Sequence, residues 1–244
     1  MKHCLLAFLL LAFFTTANAQ QLDSLPAAKP AKKDWSKIDL SQRSADHLMI
    51  QFGYAGWAKV PDTINIGGFS RTFNIYFFFD FPFKLNPRFS VGLGAGYGSD
   101  NIFFKKTLVD IKSGSAVTIR KDTITQYKKL KLQTGYLEIP LELRYSTNPE
   151  NMNKGFKMAL GVKVGLLVDG KVKAKIDRDA QGNSGYIYKE KETKYFQNSR
   201  VAAHLRVGYG NVTVFGQYTL TNYFKEGTGP AVKPWSIGLT LSGL

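Results

Sequence analysis

Cysteine is all but missing from this chain of 244 residues: the only one, Cys4, lies in the first apolar stretch. The rest of the chain therefore has no disulfide framework and no cysteine-based metal site. Cys4 also precedes most of the apolar run, too early for a lipid-attachment cysteine. Histidine is nearly as scarce. Beyond His3 there are only His47 and His204, far apart in sequence, so a zinc site is not expected. After residue 14 no apolar run approaches the ~20 residues of a spanning helix. Nucleotide motifs are missing too. No Gly-Lys-Ser/Thr is present, and the glycine-rich stretch RFSVGLGAGYGSDN (88–101) breaks G-x-G-x-x-G at Tyr97 or at Ser99, with no helical pattern following. No cofactor is expected.

What is present begins with MKHCLLAFLLLAFFTTANAQQ. Lys2, the apolar run Leu5 to Phe14 and the small residues Ala17-Asn18-Ala19 read as a secretory signal peptide over 1–19, cut after Ala19. Residues 20–45, rich in Lys, Ala, Ser and Pro, read as a flexible periplasmic leader. The formal charge of +15 drops by one with Lys2. An exported basic protein meets anionic lipid head groups and glycans rather than nucleic acid.

From Asp46 onward one period of two dominates. Leu48, Ile50, Phe52 and Tyr54 share a face, as do Phe73, Ile75, Phe77, Phe79 and Phe81. In the glycine stretch Val91, Leu93, Ala95 and Tyr97 alternate with Gly92, Gly94, Gly96 and Gly98. YLEIPLELRY, FKMALGVKVGLLV, VAAHLRVGY, NVTVFGQYTLT and WSIGLTL continue the pattern. The count is eight strands, most near the ten residues that a tilted strand needs to cross a bilayer. Short connections (KLNPR, STNPENMNK, Gly210-Asn211) alternate with longer ones, and those around Ser99–Leu130 and Asp169–Asn198 are very long. Short turns on one side and long loops on the other are the pattern of outer-membrane barrels. The fold expected is all-β: an eight-stranded antiparallel up-and-down transmembrane barrel over 46–244, with both termini on the short-turn side.

Polarity decides which face meets lipid. The charged face carries Glu138, Glu142, Arg144, Lys157, Lys163 and Arg206. Basic residues turned to hydrocarbon cost ~2–4 kcal/mol each near the midplane. The apolar face, with Tyr54, Tyr97, Tyr145, Tyr209, Tyr218 and Trp235 near strand ends, therefore faces out. The glycines then line a crowded lumen, making room for Tyr76 and Phe78 on one neighbouring strand and Tyr136 on the other.

GFSRTFNIYFFFDFP, GLGAGYGSDNIFF, LQTGYLEIPLELRY, FKMALGVKVG, LRVGYGN, YFKEGTGP and SIGLTLSGL resemble the porin-like outer-membrane β-barrel family (porin family, PorT-related). The resemblance runs from about Asp46 to the C-terminus. It implies fold and a Gram-negative outer-membrane location, not an activity.

The candidate residues fall in two sets. Asp80, Glu138, Glu142, Arg144, Lys157, Lys163, His204 and Arg206 form a lumenal polar network, with Glu138 and Glu142 expected opposite Lys157 and Lys163. An eight-stranded lumen is mostly filled by side chains, so a wide channel is not expected; a narrow transport pore is the alternative. No nucleophile motif accompanies His204, which argues against a lipid-modifying enzyme. The second set is the loop lysines Lys105, Lys106, Lys128 and Lys129, placed to meet lipopolysaccharide phosphates, in loops whose strand-like stretches around Ser113-Gly114 and Gly182-Asn183 offer a sheet edge to a protein partner. The expected role is structural or interactive, from a monomeric barrel. Asp23-Ser24-Leu25, Asp62-Thr63-Ile64 and Asp122-Thr123-Ile124 resemble a short O-glycosylation signal.

Overall fold

A computed structural model describes Arg43 and residues 46–112, 114–178, 182–183 and 185–243. The signal peptide, all of the leader except Arg43, the site Asp23-Ser24-Leu25, and Ser113 lie outside the described residues. The strands are β1 (Leu48–Ala58), β2 (Arg71–Pro82), β3 (Phe89–Phe104), β4 (Thr107–Asp110), β5 (Thr118–Lys121), β6 (Gln126–Ser146), β7 (Phe156–Arg178), β8 (Ile187–Lys191), β9 (Ser199–Tyr209), β10 (Val212–Thr219) and β11 (Lys233–Ser242). No helix occurs among the described residues.

Eight of these strands close a barrel in the order β6-β3-β2-β1-β11-β10-β9-β7, with β6 pairing back onto β7. Every pairing is antiparallel, from Met49↔Ser242 at the β1–β11 seam to Leu137↔Leu166 between β6 and β7. These are the eight strands expected from the alternation. The three remaining strands lie on the long-loop side. β4 and β5 form a separate hairpin, and β8 adds to the upper part of β7.

The two longest connections are shorter than the sequence implied. β6 has 21 residues and β7 has 23, about twice a membrane crossing. Much of what reads as loop is strand that carries the wall beyond the lipid.

The lower half has the expected polarity. Leu137, Ile139, Leu141 and Leu143 on β6, and Leu160, Val162, Val164 and Leu166 on β7, are exposed on the outside. Aromatic pairs mark the rims: Phe89–Tyr145 at 5.2 Å below and Tyr54–Trp235 at 5.7 Å above, in line with interfacial girdles.

Above this belt the polarity inverts. Ile102, Phe104, Leu130, Leu132, Val172, Ala174 and Ile176 turn inward and are buried with Trp57, Phe196, Tyr223 and Phe224 in one apolar cluster. β6 and β7 reach this inversion differently. On β6 the even residues stay inward while their type changes, from Glu142 and Glu138 to Leu132 and Leu130. On β7 the apolar residues, Ala159 and Leu167 apart, keep even numbers throughout, and a bulge turns them over. Tyr136 pairs with Leu167 but Gly135 pairs with Asp169, leaving Val168 as the extra residue. Below the bulge Val164 faces lipid; above it Val172 faces the core.

The glycine strip on β3 faces inward as expected. A Cβ on Gly94 or Gly96 would meet the Phe78 or Tyr76 ring at 2.9 or 2.5 Å. On the other side a Cβ on Gly92 would meet Arg144 at 2.5 Å and one on Gly98 would meet Glu138 at 2.7 Å, rather than Tyr136. Charged side chains, not an aromatic ring, fill the space on that side.

Candidate functional sites in the lumen and on the outer rim

The lumen holds the whole first set of expected residues. Glu142 is the lower hub, accepting from His204 Nε2 at 2.8 Å, Arg206 Nη2 at 2.9 Å and Arg144 Nε at 2.7 Å. Arg206 also reaches Asp46 at 3.1 Å, which pairs with Lys157 at 2.7 Å. Asp80 binds Arg43 at 2.9 Å, Arg144 at 3.4 Å and the Ser90 hydroxyl at 2.7 Å. Higher up, Glu138 accepts from Tyr76 and from Arg200, and Arg200 also binds Asp100. Lys163 donates to Gln51 at 3.0 Å, Gln217 at 2.9 Å and the Tyr76 hydroxyl at 3.1 Å.

The register corrects the expected pairing across β6 and β7. Glu138 and Glu142 lie opposite Gly165 and Gly161, while Lys163 lies opposite Pro140 and Lys157 opposite Ser146. Gly165 lies opposite Arg200 and Gly161 opposite His204, leaving room for both to reach the carboxylates from β9. Arg206, opposite Ala159, reaches Glu142 as well, so Arg200 and Arg206 replace the expected lysines as partners. Three aromatic rings serve the same compensation: Arg144 stacks on Phe78 at 4.2 Å, Arg200 on Tyr136 at 4.2 Å and Lys163 on Tyr76 at 4.5 Å.

Sequence reasoning missed Arg43, Asp46, Asp100 and Arg200. Arg200 had a signal, since it continues the inward parity of Ala202, His204 and Arg206 by one step. Arg43 and Asp46 precede the first strand and had none. Counting them, five carboxylates face six cations, with His204 bonded to Glu142. A network so nearly compensated is a filled interior. Of its six cations only Lys163 lacks a directly paired carboxylate among the described residues, and three neutral acceptors and the Tyr76 ring hold its charge instead.

An aromatic lid closes the network above. Trp57 lies 4.9 Å from Tyr223, Tyr223 lies 5.0 Å from Phe224, and Phe224 lies 5.4 Å from Phe196. The Tyr223 hydroxyl donates to Thr134 at 3.2 Å, and its burial raises the phenol well above the usual tyrosine value.

On the outside, the second expected set comes together. Lys105, Lys106, Lys128 and Lys129 line one open groove with Arg71 and Phe103. Lys129 and Arg71 approach the Phe103 ring at 5.1 and 5.4 Å, and Lys128 pairs with Asp177 at 2.7 Å. Basic density extends further than these four: Lys131, Lys171, Lys173 and Lys175 on β6 and β7, and Lys189 and Lys191 on β8, also project outward. Thr63 and Thr123 are exposed in loops. Asp122 is occupied in a turn, accepting from the N–H of Ile124 and Thr125 at 2.9 and 3.1 Å. Burial opposes its charge, but these bonds win and hold its carboxyl below the usual value.

A family model described as outer membrane protein beta-barrel domain matches residues 43–224. No curated protein matches the sequence. Among solved structures, the chain is similar to Ail, the attachment invasion locus protein of Yersinia pestis, solved in complex with the heparin analogue sucrose octasulfate. Identity there is 13%, over 80% of this chain and 97% of that one, with a TM-score of 0.29. A likeness that distant carries no functional argument.

Proposed function

Since the chain belongs to the outer membrane protein beta-barrel domain family, we propose that it is a closed, non-conducting outer-membrane barrel whose extracellular cap is the working part. Its role is structural or interactive, through lipopolysaccharide or a protein partner meeting the cap. The observation that carries this reading is the length and polarity of β6 and β7. They continue past the lipid belt and enclose a second, water-facing core. A strand that only had to span the membrane would end near ten residues.

The narrow-pore reading has less support. The lumen is filled by paired charges, and Trp57, Tyr223, Phe224 and Phe196 lie across its upper end. An enzymatic role is likewise unsupported. His204 is buried, and its Nε2 is committed to Glu142 inside that lumen.

Purified protein in planar bilayers tests the proposal. The expected record is free of stable conductance steps. Large, long-lived steps would overturn the reading and restore the pore. Crosslinking in intact cells, followed by mass spectrometry, then identifies what the cap touches.

A further inference from the structure

One side of the barrel brings together two features that the opposite side does not: a groove beside Ala203 and Gly216 exists there too, but without rows of cations above it. The first is a ladder of cations immediately above the apolar belt. Cross-strand register puts Arg71, Asn101, Gln133, Lys171 and Lys191 in one outward row across β2, β3, β6, β7 and β8. The next row aligns Lys131, Lys173 and Lys189, and the one above aligns Lys129 with Lys175. Directly opposed side chains on adjacent strands are about 5 Å apart, so each row sets like charges against one another.

Little in the protein relieves that repulsion. Asp169 pairs with Lys171 and, at 3.6 Å, with Lys191. Lys131 donates only to the neutral Asn101 at 2.7 Å and Gln133 at 3.1 Å. Among the described residues no carboxylate pairs with Lys173, Lys175 or Lys189. Burial, then the charges of Lys129, Lys173, Arg71 and Lys171, lower Lys131 below the usual lysine value. Such rows are stable when an anion bridges them.

The second feature is an apolar groove in the lipid-facing wall of the same strands. It is lined by Ile75 and Phe77 of β2, Ala95 and Tyr97 of β3, Leu137 and Ile139 of β6, and Val164 of β7. Its cause is local. Ala95 is the one small residue in an outward series of large ones. Pro140 has no N–H to give the ladder, and the β3–β6 pairing skips from Leu93↔Leu141 to Gly96↔Glu138. The groove's upper end at Leu137 is four residues, roughly 13 Å along the strand, below the row of Gln133 and Lys171. On the opposite wall, Tyr54, Tyr218 and Trp235 occupy the belt edge, with Lys233 as the one cation on the outward upper ends of β9, β10 and β11.

We propose that this wall is a specific site for a phosphorylated glycolipid of the outer leaflet, with its phosphates on the lysine rows and an acyl chain in the Ala95 groove. The proposal deepens the reading of a lipopolysaccharide contact given above and rests on it for the orientation of the barrel. It moves that contact from the four loop lysines down to the wall of β6, β7 and β8, where a head group at the membrane surface would sit. Interfacial cations gain most where lipid charge is close.

The test measures retained lipid A on the full-length protein, extracted in mild detergent and incubated with bisphosphorylated or phosphate-free lipid A. Wild type is expected to retain the bisphosphorylated form and to release the phosphate-free form. Replacing Lys131, Lys173 and Lys189 together by Gln should cut retention on the order of tenfold to a hundredfold. The charge-matched control Lys59→Gln, Lys84→Gln, Lys121→Gln should retain it. Ala95→Phe, which fills the groove on a lipid-facing position, should also lose lipid, and heat-modifiable gel mobility confirms that each variant is folded. Undiminished retention by the first triple overturns the proposal, as does equal loss in the control or equal retention of phosphate-free lipid A. Displacement of lipid A by excess inorganic phosphate would make the ladder a free-anion site and overturn the lipid assignment. Conductance is read separately: a conducting barrel would sink the sealed-cap reading and leave this one standing.

Discussion

The lower and upper halves of β7 are one continuous strand built to opposite rules. From Phe156 to Leu166 the exposed side chains are apolar, and the buried ones include Lys157 and Lys163; from Lys171 to Ile176 the lysines point out and Val172, Ala174 and Ile176 are buried. The solvent outside the wall accounts for both. Against hydrocarbon, exposed apolar side chains cost nothing and charges must pair within the lumen. Against water, apolar side chains gain by burial and lysines remain hydrated. Secondary structure is unchanged across the boundary, so the difference teaches that the medium, not the strand, sets the pattern.

The sharpest way to break that comparison is Val172→Asp, which puts a carboxylate into the apolar cluster above the belt. Burying a charge among apolar side chains costs several kcal/mol, on the order of 4 or more. The cap is expected to lose its fold while the lower barrel survives. Limited proteolysis of the intact protein would then cut within residues 107–132 and 169–191, leaving a protected membrane core; an unchanged digestion pattern would refute the buried role of that face. Deleting Val168, by contrast, should leave both halves folded, because Leu167 and Asp169 then join in regular pairing with Tyr136 and Gly135.

A smaller but still severe effect is expected from Glu142→Ala. It removes the acceptor shared by Arg206, Arg144 and His204, leaving Arg206 with Asp46 and Arg144 with Asp80 alone, and breaking a buried ionic cluster in this way costs about 3–5 kcal/mol. Denaturant unfolding in micelles measures it, and Glu142→Ala combined with Arg206→Ala should recover part of the loss.

Two lysine substitutions on β7 separate the halves directly. Val164→Lys places a charge in lipid and should cost roughly 2–4 kcal/mol. The reverse change above the bulge, Lys173→Val, should alter stability by no more than about 0.5 kcal/mol, because that position is in water. Similar costs for the two would mean that the belt ends elsewhere. Least of all is expected from Lys128→Ala. Its pair with Asp177 is half exposed, and such pairs are worth about 1 kcal/mol or less.

Much of this was legible in the residues themselves. Period-two alternation and the alternation of short and long connections yielded eight strands, their faces and the inward charges. The inversion on β6 was also written in the sequence, since apolar residues change from even to odd numbers between Leu132 and Leu137. The inversion on β7 was not. Its apolar series keeps even numbers from Phe156 to Ile176, Ala159 and Leu167 apart, and only pairing against β6 exposes the bulge at Val168. Arg200 was legible as one more step of an inward series, whereas Asp46 enters the lumen from outside any strand.

The sequence by itself determined architecture and polarity, because side-chain direction in a strand depends on position alone and solvent preference on residue type. Partnership was decided only by the tertiary structure. Closing the barrel set the register, and the register gave Glu138 to Arg200 across Gly165, and Glu142 to His204 across Gly161 and to Arg206. The same closure aligned lysines distant in sequence into rows on a single wall. Such neighbours are fixed by how the strands pair, and no local pattern encodes that. The glycine strip of β3 belongs to both: its parity marked it as an inner face, and packing decided which side chains fill the space it leaves.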